Sequence, residues 1–369
     1  MIIGIDGNEA NVHNRVGIGE YAFELLKQFE KLKVQNIEFR IYLKTAPLAH
    51  MPKNRESWTY RIIGPKKLWT RFALPLNLFM DTNRPNVFFT PTHYGPWISP
   101  VPTVISIMDL SFLHFPGLFN KKDLYQLTNW TSRSAQTSKK IFTISEFSKN
   151  DIIKTYKVSE ESVVVTYPGV KELEVENLKL RSMDELKKRY KISKPYILFV
   201  GTLQPRKNIA RLIEAFSKLK VENIELIIIG KKGWLYEEIL EAPKKFGVEP
   251  GVKFLDFVGD EDLISFYKNA KCFVLPSLYE GFGLPVLEAM RQGCPVLISN
   301  VSSLPEAGGD AAVYFDPEDV DDIASKIEKV LSDENLQKEM VEKGYNQIKK
   351  FSWAQTASKT LEVLEEMGK

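Results

Sequence analysis

Pro276-Ser277-Leu278-Tyr279-Glu280-Gly281-Phe282-Gly283-Leu284-Pro285-Val286-Leu287-Glu288 joins two kinds of structure. Residues 272–275 before it form an apolar run that reads as a short buried strand, and Pro276 breaks that run into a glycine-containing loop. Pro285 suits the first turn of a helix, where its missing N–H is no loss, and Gly293 suits the residue just past the helix end. The framed helix points its positive dipole end and its unbonded first-turn N–H groups back at Gly281-Phe282-Gly283. Such an end binds anions, phosphate above all. Glu280 lies before the helix and Glu288 about one turn inside it. Carboxylates repel phosphate, so hydroxyl groups are their better targets, and sugar hydroxyls on both sides of a diphosphate fit. The same pattern also fits a plain Pro-capped helix whose acids only face the dipole.

At 369 residues the chain has room for two domains, each with its own core. A net charge of +3 gives no case for nucleic acid as the main partner. The two cysteines, Cys272 and Cys294, fall in apolar runs without metal-ligand spacing, which points to a reducing compartment. Residues 1–6 run straight into a strand pattern with no signal-peptide features, and no apolar run approaches the roughly 20 residues that span a bilayer. The expected location is the cytoplasm, with the inner face of the membrane as a variant of it.

Upstream, a strand at 1–6 leads through a ten-residue polar loop, 7–16, into a helix at 17–32 with one apolar face. Gly17-Ile18-Gly19-Glu20-Tyr21-Ala22 spells a dinucleotide fingerprint, but the loop is too long for that tight turn. Glycines that let backbone approach a ligand are the better reading. Strands are expected at 39–43, 59–63, 87–90, 103–108, 140–144 and 162–167, and helices at 68–80, 121–138 and 145–156, with Ser145 as an N-cap. Lys66, Lys67, Trp69, Arg71 and Phe72 form a basic and aromatic cluster. It reads either as a contact to a membrane surface or as a solvated helix end with buried aromatics.

After Pro168-Gly169 a charged segment, 171–194, marks a domain boundary. Strands at 196–201, 225–229, 252–254, 272–275 and 295–299 then alternate with helices at 209–219, 234–246 and 261–269. The expected fold is α/β, two doubly wound parallel-sheet domains: 1–169 and 170–353, with a final helix, about 354–369, crossing back to the first. Ligands in such sheets bind outside the carboxyl ends of the strands. There Arg206 and Lys207 can neutralise a diphosphate held near Gly283. Ser303-Leu304-Pro305-Glu306 reads as a capping box, and Asp260-Glu261-Asp262 as dipole and cap chemistry rather than a metal-binding Asp-x-Asp.

Together these residues resemble the retaining glycosyltransferases of the large GT-B group often called family 4. The resemblance spans nearly the whole chain. Its most specific part is the E-x7-E pattern of Glu280 and Glu288, supported by Gly201-Thr202-Leu203-Gln204-Pro205-Arg206-Lys207-Asn208, by Phe257-Val258-Gly259 and by Thr143-Ile144-Ser145-Glu146-Phe147-Ser148. It implies two Rossmann-like domains facing across a cleft. It implies that Glu280 meets the donor sugar's hydroxyls, Glu288 the ribose, and Gly281, Phe282, Gly283 and Leu284 the phosphate or sugar through backbone N–H groups. Arg206 and Lys207, beside Thr202, would stabilise the leaving diphosphate, and Val258 would meet the base. Gly17 and Gly19 would lie near the phosphates and the acceptor, with His93 and Asp109 on the acceptor side and Asp109 among the catalytic groups.

Two departures from the family pattern stand out. Met108 precedes Asp109 where many relatives have a histidine that positions the donor sugar, which leaves His93 and His114 as substitutes. Threonine, not arginine, follows Gly201. The resulting expectation is a metal-independent retaining hexosyltransferase with no cofactor. It would move a sugar, with mannose as the family-weighted choice, from a GDP or UDP type donor to a hydroxyl of a glycan or lipid-linked glycan. A nucleotide-sugar hydrolase or epimerase, and an inactive nucleotide-sugar-binding protein, are the alternatives.

Overall fold

The computed structural model describes residues 1–15, 17–32, 34, 36–170 and 181–369. Val16 of the first loop and residues 171–180 of the charged segment therefore lie outside the described residues. The chain divides into two compact units, Met1–Gly169 with Ser352–Lys369, and Val170–Phe351.

The first unit is built on seven parallel strands: β1 (Ile2–Asp6), β2 (Glu38–Leu43), β3 (Trp58–Ile62), β4 (Val87–Thr90), β5 (Thr103–Ser106), β6 (Lys140–Thr143) and β7 (Val163–Val165). Their order is β3-β2-β1-β4-β5-β6-β7. The central strands are buried along nearly their whole length, as continuous apolar runs covered on both faces require. Sheet order reverses beside β1, which places the loop after it, Gly7 to Arg15, at the switch point.

One core lies between the sheet and two helices, Ile18–Lys31 and Trp353–Gly368. Leu25, Leu26 and Phe29 meet Trp353, Ala357, Leu361 and Leu364 there, with Ile3, Ile5 and Phe89 from the strands. Gly169 is required at the crossing, because a Cβ on it would sit 2.1 Å from the Trp353 backbone nitrogen.

The second unit has six parallel strands: β8 (Tyr196–Val200), β9 (Glu225–Ile229), β10 (Val252–Leu255), β11 (Cys272–Leu275), β12 (Val296–Ser299) and β13 (Ala312–Phe315), in the order β10-β9-β8-β11-β12-β13. The switch point falls between β8 and β11, so the loops after these two strands are neighbours. Among the described residues no helix is long and apolar enough to cross a membrane.

Three local expectations fail. The helix expected at 68–80 begins only at Ala73, after a turn in which Leu68 takes a left-handed backbone. The helix Met183–Tyr190, closed by a Ser182/Glu185 capping box, falls inside the charged stretch read as a boundary; it buries only Leu186, too faint a stripe to reveal it. Ser303 and Glu306 do not form a capping box: the Ser303 hydroxyl donates to the Glu280 carbonyl instead.

Candidate functional site

The loop after β8 and the loop after β11 are tied together by backbone. Leu278 N–H donates to the Arg206 carbonyl at 2.9 Å, and Asn208 Nδ2 donates to the carbonyls of Pro276 at 3.0 Å and Pro317 at 2.7 Å. Asn208 holds this position in a left-handed backbone that asparagine tolerates, between the turn Pro205–Lys207 and the helix Ile209–Ser217. The loop after β9 passes as closely: a Cβ on Gly230 would lie 1.9 Å from the Gly201 carbonyl oxygen. Thr202, next to that contact, is exposed.

This frame delivers Arg206 and Lys207 to Glu280. Lys207 Nζ lies 2.5 Å from Glu280 Oε1, Arg206 Nη1 lies 3.1 Å from Oε2, and the Ser277 hydroxyl donates to Oε1 at 2.6 Å. Arg206 also donates to the Tyr279 carbonyl. Burial would raise the Glu280 carboxyl, but Lys207 and then Arg206 outweigh it and hold the group at about 2. Glu280 is therefore ionised at neutral pH and unsuited to giving up a proton. Its three hydrogen bonds fill three of the roughly four acceptor positions of a carboxylate, leaving room for about one more donor. Both cations lie against the same carboxylate.

The backbone of Glu280 is fixed as well. Its N–H donates to Ser302 Oγ at 3.0 Å and its carbonyl accepts from Ser303 Oγ at 2.8 Å. Neither contact is legible in the sequence, where Ser303 reads as a helix cap, because both depend on β12 lying beside β11.

Gly283, at φ 110°, turns the chain into the helix Leu284–Arg291, with Pro285 in its first turn and Gly293 beyond its end at φ 70°. Among the described residues no side chain caps the start of this helix. The Phe282 ring is buried in the core, edge-on to Phe351 at 5.2 Å. One turn inside the helix, Glu288 accepts a hydrogen bond from the buried Tyr267 hydroxyl at 3.0 Å. Tyr267 looks in the sequence like any core aromatic. Burial, followed by the Glu288 charge, pushes its phenol well above the ordinary range and keeps it a donor. After β10, Val258 is buried while Phe257 beside it is 70 % exposed, with the Lys231 ammonium 4.9 Å from its ring centre.

Asp262 is committed to structure. It is buried at the start of the helix Asp260–Asn269 and pairs with Arg181 and with Arg189 at 3.4 Å, while the Tyr190 hydroxyl donates to it at 2.5 Å.

In the first unit, Gly17 at φ 49° precedes the helix Ile18–Lys31, and a Cβ on Gly19 would press to 3.0 Å from the Glu9 carbonyl. Arg15 covers this turn, 3.7 Å from the Phe23 ring centre and paired with Glu20 at 3.2 Å. Asp6 ends β1; burial, restrained by Asn8 and Lys44, raises its carboxyl to about 6. His93 lies edge-on to Phe112, and its Nδ1 makes no hydrogen bond among the described residues. Burial lowers its pKa, with the Asp109 carboxylate pulling the other way, so the ring is neutral at pH 7. Asp109 accepts from Ser111 N–H at 2.8 Å. Met108 is a core residue, packed with Val104 and Phe142. His114 is held by Asp151 at 2.7 Å.

Residues 182–347 match the family model described as glycosyl transferases group 1. The chain is 31 % identical over 371 residues to the O-antigen chain mannosyltransferase B of Escherichia coli, covering 94 % of both proteins. It is 37 % identical over 228 residues to the serotype-specific mannosyltransferase WbdA of the same organism, a match to 60 % of this chain and 28 % of that much longer protein. Among solved structures it is similar to Anabaena HepE in complex with UDP and glucose, with a TM-score of 0.73, 18 % identity and 99 % of both chains covered. At that identity the likeness shows the fold, two parallel-sheet Rossmann-like domains of GT-B type. The sequence match along almost the whole chain shows more: this protein belongs to the glycosyl transferases group 1 family.

Proposed function

We propose that this glycosyltransferase moves a mannosyl residue from a nucleoside diphosphate donor, of GDP or UDP type, to a hydroxyl of a glycan or lipid-linked glycan, with retention and without a metal. The observation that carries the reading is Glu280 held ionised by Lys207, Arg206 and Ser277 at the start of the helix Leu284–Arg291. Mannose and a glycan acceptor are supported by the relatives' names.

The donor diphosphate lies against the first-turn N–H groups and the Arg206 and Lys207 cations. Arg206 and Lys207 neutralise the charge that grows on the leaving diphosphate as the glycosidic bond breaks, which is the work a metal does in Asp-x-Asp enzymes. Glu280, with room for about one more donor, takes a hydroxyl of the sugar, and Glu288 takes the ribose. Val258 and Phe257 border the base. The acceptor binds in the first unit near Gly17, Gly19, His93 and Asp109, where a neutral imidazole beside a carboxylate offers hydrogen bonds to hydroxyl groups.

A thermal-shift screen of nucleoside diphosphates, then transfer assays with GDP-mannose, tests the reading. The expected result is a raised midpoint with one diphosphate and transfer that Glu280→Ala abolishes. Full transfer in Glu280→Ala would overturn it. Free monosaccharide released without acceptor would favour a hydrolase, and donor binding with no turnover on any acceptor would favour a binding protein.

A further inference from the structure

Between Tyr60 and Met80 the chain carries four cations, Arg61, Lys66, Lys67 and Arg71, and no acidic residue. The helix Ala73–Met80 that ends this stretch has one polar residue, Asn77. A helix that is apolar almost all round is ordinarily buried on every side. This one buries only Ala73, Leu74, Pro75 and Leu78, and Ala73, Leu74 and Leu78 join Trp69, Tyr42 and Phe88 in a small core.

Its other face stands in water. Leu68 is 43 % exposed, Phe72 62 %, Leu76 62 %, Phe79 49 % and Met80 72 %. Leu76 and Met80, four residues apart, share one side of the helix, and Leu68 and Phe72 lie in the turn that leads into it. A second segment widens this face: Trp97 N–H donates to the Thr70 carbonyl at 2.8 Å, bringing the exposed Trp97 and Ile98 alongside. Cations stiffen this junction, with Arg71 4.5 Å from the Trp97 ring centre and 4.0 Å from that of Trp130, and Arg133 3.9 Å from Trp97 on its own account. A contiguous apolar surface of this kind, rimmed by charge, marks an interaction site.

We propose that this face docks on the surface of an anionic lipid bilayer. Eight residues of helix extend about 12 Å, far too short to span, so the element lies in the plane of the interface. Leu68, Phe72, Leu76, Phe79 and Met80 enter the acyl boundary, Trp97 sits at headgroup depth, and Lys66 and Lys67, both exposed, meet lipid phosphates. A second copy of the chain is the poorer occupant, because a two-fold contact would set this acid-free, fourfold-positive stretch against itself.

Co-sedimentation of the full chain with vesicles of phosphatidylcholine, alone or mixed with phosphatidylglycerol, tests the proposal. Wild type should pellet with the mixed vesicles and partition roughly tenfold less onto phosphatidylcholine alone. Leu76→Ser with Met80→Ser should cut partitioning by about tenfold, and Lys66→Glu with Lys67→Glu by a similar factor. Circular dichroism should be unchanged in both, since all four side chains are exposed. Absence of wild-type binding to the mixed vesicles would overturn the proposal. So would equal binding by both variants, or a dimer in sedimentation velocity that Leu76→Ser with Met80→Ser dissociates.

Discussion

Lys207 and Glu280 form a buried ion pair at 2.5 Å, with Arg206 on the far carboxylate oxygen. Removing one member of such a pair strands the other. Glu280→Ala should therefore destabilise the ligand-free protein by about 3 kcal/mol, measured by urea unfolding, while a bound nucleoside diphosphate restores part of the loss.

The same pair sets an acid response. The Glu280 carboxyl titrates at about 2 in the folded protein against 4.5 ordinarily, so its stabilising effect is complete above pH 4.5 and disappears as pH falls through 2. That shift corresponds to about 3 kcal/mol. The stability difference between wild type and Glu280→Gln should shrink between pH 4.5 and 2 and stay flat above 5. A difference independent of pH across that window would place the stabilisation elsewhere.

Tyr267→Phe removes only the hydroxyl that orients Glu288. Loss of one such bond, about 1 kcal/mol, should weaken donor binding roughly fivefold with little change in kcat. The diagnostic measurement is the preference for ribonucleotide over deoxyribonucleotide diphosphate, which should fall in the variant. A general loss of packing would leave that ratio unchanged.

Gly283→Ala forces a side chain into φ 110° and places a Cβ 2.8 Å from Leu304 Cδ2, at a cost of about 2 kcal/mol. Gly247→Ala serves as the control, because φ is 70° there and nothing lies within 4 Å, so it should cost about 1 kcal/mol. Donor binding should weaken only in the first.

Asp262 is occupied by Arg181, Arg189 and Tyr190. Transfer should be insensitive to EDTA, and Asp262→Asn should lower the unfolding midpoint by roughly 5 °C without making activity metal-dependent. Stimulation by manganese that Asp262→Asn abolishes would reverse the assignment.

What could be read in advance followed local chemistry. Pro285 and Gly293 frame their helix as expected, Ser145 caps its helix by accepting from Ser148 N–H, and the apolar runs give the parallel strands. Three features depend instead on elements distant in sequence. Tyr267 meets Glu288 across two helices, and Ser302 and Ser303 reach Glu280 from the loop after β12. β13 lies outside the expected strands although residues 311–315 form a continuous apolar run, so its signal is local and legible. Trp69 and Phe72, read together in the sequence, part company in the structure. The tryptophan is buried and donates to the Ile63 carbonyl, while the phenylalanine stays in water.

The passage of Trp353–Gly368 into the core beside Ile3, Ile5 and Leu25, at a crossing where only glycine fits at position 169, sets a constraint on the order of synthesis. A ribosome makes the first seven strands and the helix Ile18–Lys31 early, yet the helix Trp353–Gly368 that completes their core comes after all of the second unit has been translated. During that interval the nascent first unit exposes apolar surface, and the second unit, contiguous in sequence, can complete itself before it. The part of the chain made first is the last to finish folding.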